Sequence, residues 1–236
     1  MHHGPARSAF LRRAPGLSIL SLAGYLALAL IAASQQLSDV DHRVRALVQL
    51  ARLPWLDIVM LAVSGLGENY GLIPLIALGS AILWRPSRRW AVALPILMAG
   101  TGALQLIAKW AVDRPRPNLA AWGFPSGHVL SLVVYFGLMT YLLATSTAAR
   151  SHRRVGYAGC VVIVLTVGFS RLYLEAHWVS DLAGGLTLGL AYLLATIWLV
   201  EGITRRRGSG SPSEAQVHLA DDQPGVLEVD PVVVTV

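Results

Sequence analysis

Six apolar stretches dominate this chain, at residues 15–33, 67–84, 91–110, 129–145, 155–172 and 182–200. Each comes near the length of about 20 residues that a helix needs to cross the hydrocarbon core of a bilayer. Composition agrees: 55% of the residues are AVILMFWYC and only 14% are charged, where a soluble domain carries roughly 25% charged residues. A surface that lacks charge faces something other than water, and here that is lipid. The expected fold class is therefore all-α integral membrane, with six transmembrane helices.

Two shorter segments precede the second span. Residues 55–64 are apolar and are separated from it by Gly65 and Gly67, which predicts a short interfacial helix before the span. Residues 39–53 mix charge with Val44, Leu47, Val48 and Leu50 at helical spacing, the pattern of an amphipathic helix lying on a membrane surface.

The arginines set an orientation. Arg7, Arg12 and Arg13 precede the first span, and Arg85, Arg88 and Arg89 follow the second. Arg150, Arg153 and Arg154 follow the fourth, and Arg205, Arg206 and Arg207 follow the sixth. With six spans all four clusters fall on one face, which the positive-inside rule makes cytoplasmic. A wrong span count would have scattered them. Only Arg43, Arg45 and Arg52 break the pattern, on the amphipathic outer-face segment. The expected organisation is a cytoplasmic N-terminus at 1–14, a six-span domain at 15–200, and a basic, then disordered cytoplasmic tail at 201–236. Residues 208–236 are rich in Gly, Ser, Pro and acidic side chains and have no sustained apolar face. The first apolar run has no small-residue cleavage site after it and reads as a span, not a signal peptide.

The net charge of +6 does not indicate a nucleic-acid partner, because the basic residues sit in short clusters between apolar runs rather than in a stripe. The single cysteine, Cys160, excludes an intramolecular disulfide and a multi-cysteine zinc site. Oligomeric state is not legible.

Once the cytoplasmic arginines, the amphipathic segment and the tail are set aside, the strong polar groups fall in three places at span ends on the outer face. They are Lys109 to Pro117, then Pro125-Ser126-Gly127-His128, then Ser170-Arg171 with His177 and Asp181. Ionisable groups near a membrane are costly and mark functional sites. Lys109, Arg116 and Arg171 supply three positive charges, two of them as forks matched to phosphate oxygens. Ser126-Gly127-His128 opens a span, where free backbone N–H groups and a glycine admit an anion. His177 and Asp181 stand four apart, on one helical face, so the carboxylate can fix the imidazole tautomer. Two histidines and an anion cradle without a metal-ligand cluster suggest phosphoryl transfer through a phosphohistidine.

A lysine, six residues and Arg-Pro; Pro-Ser-Gly-His; and Ser-Arg, five residues, His, three residues, Asp: this three-part signature resembles that of the type 2 phosphatidic acid phosphatase superfamily. Every signature position is matched, in order. Glu175 and Val179 stand at interior positions where many relatives have glycine and proline. The resemblance implies that His177 attacks phosphorus, that Asp181 orients it, and that His128 protonates the leaving oxygen and then activates water. Lys109, Arg116, Ser126, Gly127 and Arg171 would hold the phosphate oxygens, with no metal and no cofactor. It also implies a site on the extracytoplasmic side of a bacterial membrane.

Asp113 and Arg114 read as a surface pair or loop-shaping residues, and Glu68, Asn69 and Tyr70 as a helix end in preference to a lining of the substrate entry. Only seven residues, 118–124, separate the first two motifs, too few for a large headgroup-specific lid. The expected substrate is thus a lipid phosphate or diphosphate of the undecaprenyl diphosphate, phosphatidylglycerol phosphate or phosphatidic acid class. A lipid phosphotransferase and a non-catalytic transport or scaffold protein are the alternatives.

Overall fold

The computed structural model describes residues 5–35 and 38–208, and every regular element among them is helical. The order is α1 (Pro5–Ala33), α2 (Asp39–Gln49), α3 (Pro54–Ser64), a 3₁₀ turn (Gly65–Gly67), α4 (Asn69–Trp84), α5 (Arg88–Val112), α6 (Gly127–Ala144), α7 (Arg150–Tyr173) and α8 (Val179–Gly208). The chain divides into two units, Met1–Trp198 and Leu199–Val236; in the second, residues 199–208 are helical. The expected disordered tail at 208–236 lies outside the described residues from 209 onward.

Helices are the expected answer because a spanning segment has no water to satisfy its backbone and must do so internally. Among the described residues five helices are long and apolar enough to cross a bilayer: α1, α5, α6, α7 and α8. The second expected span differs in detail. Helix α4 has 16 residues, a rise of about 24 Å, which is short of the roughly 30 Å hydrocarbon core. The segment read as an interfacial helix, α3, precedes it at a bend of 49°, and the pair passes together as one broken span, making six. The bend follows from glycines. A Cβ on Gly71 would run into the carbonyl of Gly65, so only a bare α-carbon lets the backbone of α4 come this close to the 3₁₀ turn. Helices α1 and α8 also run past the expected span ends, since the flanking Arg and Leu residues are good helix formers.

Helix α4 packs on α5, α5 on α6, α6 on α7, and both α2 and α3 rest on α7. Helix α6 is the most enclosed span, with Leu130, Leu132, Val134 and Leu138 fully buried. Gly185 and Gly189 of α8 lie against it, and a Cβ on Gly185 would stand 2.5 Å from the carbonyl oxygen of Ser126. Small residues at such crossings let membrane helices approach closely. In contrast, Ile19, Leu20 and Leu30 of α1 and Val155 and Leu165 of α7 are exposed, as lipid-facing side chains are. The candidate residues collect at one set of helix ends: the C-termini of α5 and α7 and the N-termini of α4, α6 and α8.

Candidate active site

A cavity of about 410 Å³ opens where these helix ends meet. Lys109 and Gln105 enter from α5, Arg116 from the following loop, Gly127, His128 and Ser131 from α6, and Arg171 from α7. His177 comes from the loop before α8, and Gly67, Glu68 and Asn69 from the break between α3 and α4.

Local structure fixes each group. Helix α5 ends at Asp113 in the left-handed conformation (φ 41°), and the Asp113 N–H donates to the Lys109 carbonyl at 2.9 Å. The Lys109 ammonium donates to the Trp122 carbonyl at 3.1 Å. The loop then turns so that the Arg116 N–H donates to the Ala120 carbonyl at 2.8 Å. Gln105 packs directly over Gly127, and a Cβ there would displace its side-chain amide. Gly67 is required, since a Cβ would collide with the His128 ring. Arg171 donates to the Ser64 hydroxyl and lies 3.9 Å from the Glu68 carboxylate, which is also 3.2 Å from His128 Nε2.

His177 is almost wholly buried. Its Nδ1 lies 3.4 Å from Asp181 Oδ2, a long approach for a hydrogen bond, and this leaves Nε2 for the cavity. Burial pushes the imidazole pKa down to about 4, and the Arg171 and Lys109 charges act in the same direction, while Asp181 opposes them. His177 is therefore neutral near pH 7, the form in which nitrogen carries a free lone pair.

Buried polar atoms are nearly always hydrogen-bonded. Here Arg116 Nε, Arg171 Nε and His128 Nε2, on residues that line the cavity, have no protein partner in hydrogen-bond geometry. Their concentration around one cavity with three cationic side chains fits a site for a compact, multiply charged anion. Among the described residues no group of three or more His, Cys, Asp or Glu side chains is placed to hold a metal ion.

The chain matches the PAP2 superfamily model over residues 90–205. It is also 31% identical to phosphatidylglycerophosphatase B of Bacillus subtilis, across 78% of this chain and 94% of that protein. The chain belongs to the PAP2 superfamily. Another PAP2 relative by sequence, at 26% identity over 61% of this chain and 70% of its own length, is the undecaprenyl-diphosphatase of Sulfolobus acidocaldarius. The crystal structure of the PAP2 type phosphatidylglycerolphosphate phosphatase from Bacillus subtilis matches with a TM-score of 0.64 at 27% identity, covering 79% of this chain and 96% of that one. Aquifex aeolicus LpxE shares the fold at a TM-score of 0.51, with 22% identity. The protein is thus an integral membrane member of a phosphatase superfamily.

Of the residues expected from the PAP2 signature, six line the cavity: Lys109, Arg116, Gly127, His128, Arg171 and His177. Asp181 stands behind His177, fully buried. Ser126 caps α6 and is fully buried, and its N–H donates to the Asp181 carbonyl at 2.9 Å, but its side chain is not part of the cavity lining. Three sequence readings are corrected. Glu68 and Asn69 are not merely a helix end, because the bend turns them into the cavity. Arg114 is not a surface residue: it is 1% exposed and pairs with both Asp41 and Asp181. Asp41 likewise is not part of a purely superficial helix. Burial alone would raise its carboxyl, but hydrogen bonds from Ser180 and the Arg114 guanidinium outweigh this and hold it below the ordinary value.

Proposed function

We propose that this protein hydrolyses a lipid phosphate or diphosphate without a metal ion, through a phosphohistidine on His177. The observation that carries the reading is the convergence, in one cavity, of two imidazoles and three cationic side chains, with the Asp181 carboxylate behind one imidazole. The phosphatase names of the PAP2 relatives support the same reaction class.

In the first step His177 Nε2 attacks phosphorus. A P–N bond forms, the P–O bond to the lipid breaks, and His128 gives its proton to the departing oxygen. In the second step His128 removes a proton from water, the water oxygen bonds to phosphorus, and the P–N bond breaks to release inorganic phosphate. Lys109, Arg116 and Arg171 and the free N–H groups at the start of α6 face the equatorial oxygens, where charge spreads in the transition state. Asp181 stabilises the cation that forms on His177.

The test is phosphate release by the purified full-length chain in detergent, across a panel of lipid monophosphates and diphosphates, in the presence of EDTA. Turnover of at least one of them at an undiminished rate is expected, with inhibition by orthovanadate. Strict dependence on added magnesium would contradict the metal-independent step, and inactivity across the whole panel would contradict the phosphatase reading.

We assign the site to the extracytoplasmic side and the described N-terminal end of α1 to the cytoplasm. The support is the set of arginine clusters at 7–13, 85–89 and 150–154, which lie at the helix ends opposite the site residues in chain order. Single cysteines replacing Asn118 or Ser87, in a chain with Cys160 removed, report this. A membrane-impermeant thiol reagent applied to intact cells should label position 118 and spare position 87. The reverse pattern would invert the topology.

A further inference from the structure

We infer that Arg114 and Asp41 are positioning residues, which hold the Asp181 carboxylate in the orientation that presents His177 to phosphorus. The inference rests on the reading of His177 as nucleophile.

Asp181 is pinned on both oxygens. Oδ2 accepts the Trp178 N–H at 2.8 Å and faces His177 Nδ1, while Oδ1 accepts Arg114 Nη1 at 3.0 Å. The carboxylate plane therefore cannot rotate without breaking the contact to Arg114. Arg114 is itself fixed from the far side: Nη2 donates to Asp41 Oδ2 at 2.9 Å and Nη1 to the Ser180 hydroxyl at 2.6 Å. Ser180 closes the ring, donating its N–H at 3.0 Å and its hydroxyl at 2.8 Å to Asp41 Oδ1. The guanidinium lies 6.0 Å from the centroid of the Trp178 ring. Asp41, Arg114 and Asp181 are all at most 1% exposed.

The network spans elements that no local pairing requires. Asp41 is on α2, Arg114 in the loop after α5, and Ser180 and Asp181 in the first turn of α8. Arg114 does not line the cavity, whereas Arg116, two residues on, does. The two arginines of Arg-Pro-Arg-Pro are thus divided between tasks, one for the anion and one for the carboxylate behind the nucleophile. A buried ion pair is a weak source of net stability, so its yield here is geometric. Charge matters as well. Asp41 shares the charge of Arg114, and without it Arg114 would act undivided on Asp181 and weaken the pull of that carboxylate on the His177 proton.

Two opposed charge changes separate positioning from mere structural support. Arg114→Met removes a cation beside Asp181, so His177 should hold its proton to higher pH and the acid limb of kcat/KM should move up. Asp41→Asn removes an anion but keeps an oxygen for Ser180, so the limb should move down. Lys109, Arg116, His128, Arg171 and Glu68, the other charged or titratable groups around His177 and the cavity, are unchanged in both variants. Arg114→Lys keeps the charge without the fork: the limb should stay in place, kcat should fall about 10²-fold as expected of a misplaced reacting group, and KM should change little. The assay uses the full-length chain in detergent on a lipid phosphate that the wild type turns over, with monodisperse elution as the check on folding. If Arg114→Met does not fold, Arg114→Lys and Asp41→Asn carry the test. Wild-type rates and an unmoved limb in both, or a loss confined to KM, would overturn the inference while leaving the phosphatase reading intact. A wild type inactive on every lipid phosphate would overturn both.

Discussion

Replacing His177 with alanine is expected to abolish turnover of every substrate, whatever its leaving group, with a fall in kcat on the order of 10⁴-fold or more, as removal of a catalytic nucleophile does elsewhere. Three features of the site set this expectation. His177 lines the cavity from the turn before α8, its Nδ1 is directed at Asp181, and Nε2 is left for phosphorus. Burial keeps the ring neutral, with a pKa near 4, so nearly every molecule at pH 7 carries the attacking lone pair. None of the cationic side chains can replace it, because Lys109, Arg116 and Arg171 bind oxygen and do not attack phosphorus under these conditions. The check is phosphate release by the purified variant beside the wild type, with matched elution and thermal stability. Residual turnover within about tenfold of the wild type, well short of the loss expected for a nucleophile, would remove His177 from that role.

Replacing His128 with alanine should give a different signature, because an acid matters in proportion to the basicity of what leaves. A lipid monoester departs as an alkoxide, which needs a proton in the transition state, so its rate should fall by about 10²–10⁴-fold. A lipid diphosphate departs as a lipid phosphate, and p-nitrophenyl phosphate as a nitrophenolate. Both are far weaker bases, and their first step should suffer less. Rates of the variant on a monoester, a diphosphate and p-nitrophenyl phosphate, each divided by the wild-type rate, measure this directly. Equal losses on all three would mean that His128 does not act as the acid. The Glu68 carboxylate lies 3.2 Å from His128 Nε2.

How much of this was legible in the sequence depends on the range over which each signal acts. Hydropathy is local, so the five long spans were readable to within the fraying of their polar ends. The second span and the short helix before it are readable too, with their break at Gly65 and Gly67, but the 49° bend between them depends on Gly65 and Gly71 meeting across it, and a hydropathy pattern does not carry that packing. The same bend hides Glu68, whose place in the cavity is decided by the angle of α4 to α3. Lys109, Arg116, Gly127, His128, Arg171, His177 and Asp181 could be picked out because each belongs to a fixed spacing at a helix end, and the fold does bring them together. Arg114 lies within the first of those motifs yet was set aside. Its partners Asp41 and Asp181 are 73 and 67 residues away, and nothing near it in the chain announces either. Asp41 looked like one more charge on an amphipathic helix. The signal available in retrospect is that Asp39 and Asp41 open a helix capped by Ser38, of which only one was needed for the helix terminus. Ser126, expected from its motif to hold phosphate, stands at the start of α6 with its hydroxyl buried beside the cavity lining and without a protein partner.

A covalent phosphate on His177 can be trapped. Without His128 the second step lacks its base, so the intermediate should accumulate. The His128→Ala protein is incubated with a lipid diphosphate labelled in the transferred phosphate, denatured in base, and mapped by peptide. Label is expected on the peptide containing His177, stable to base and lost in acid, and absent from the His128→Ala, His177→Ala double variant. Label on any other residue, or continued turnover by the double variant at the rate of His128→Ala alone, would contradict a covalent phosphate on His177.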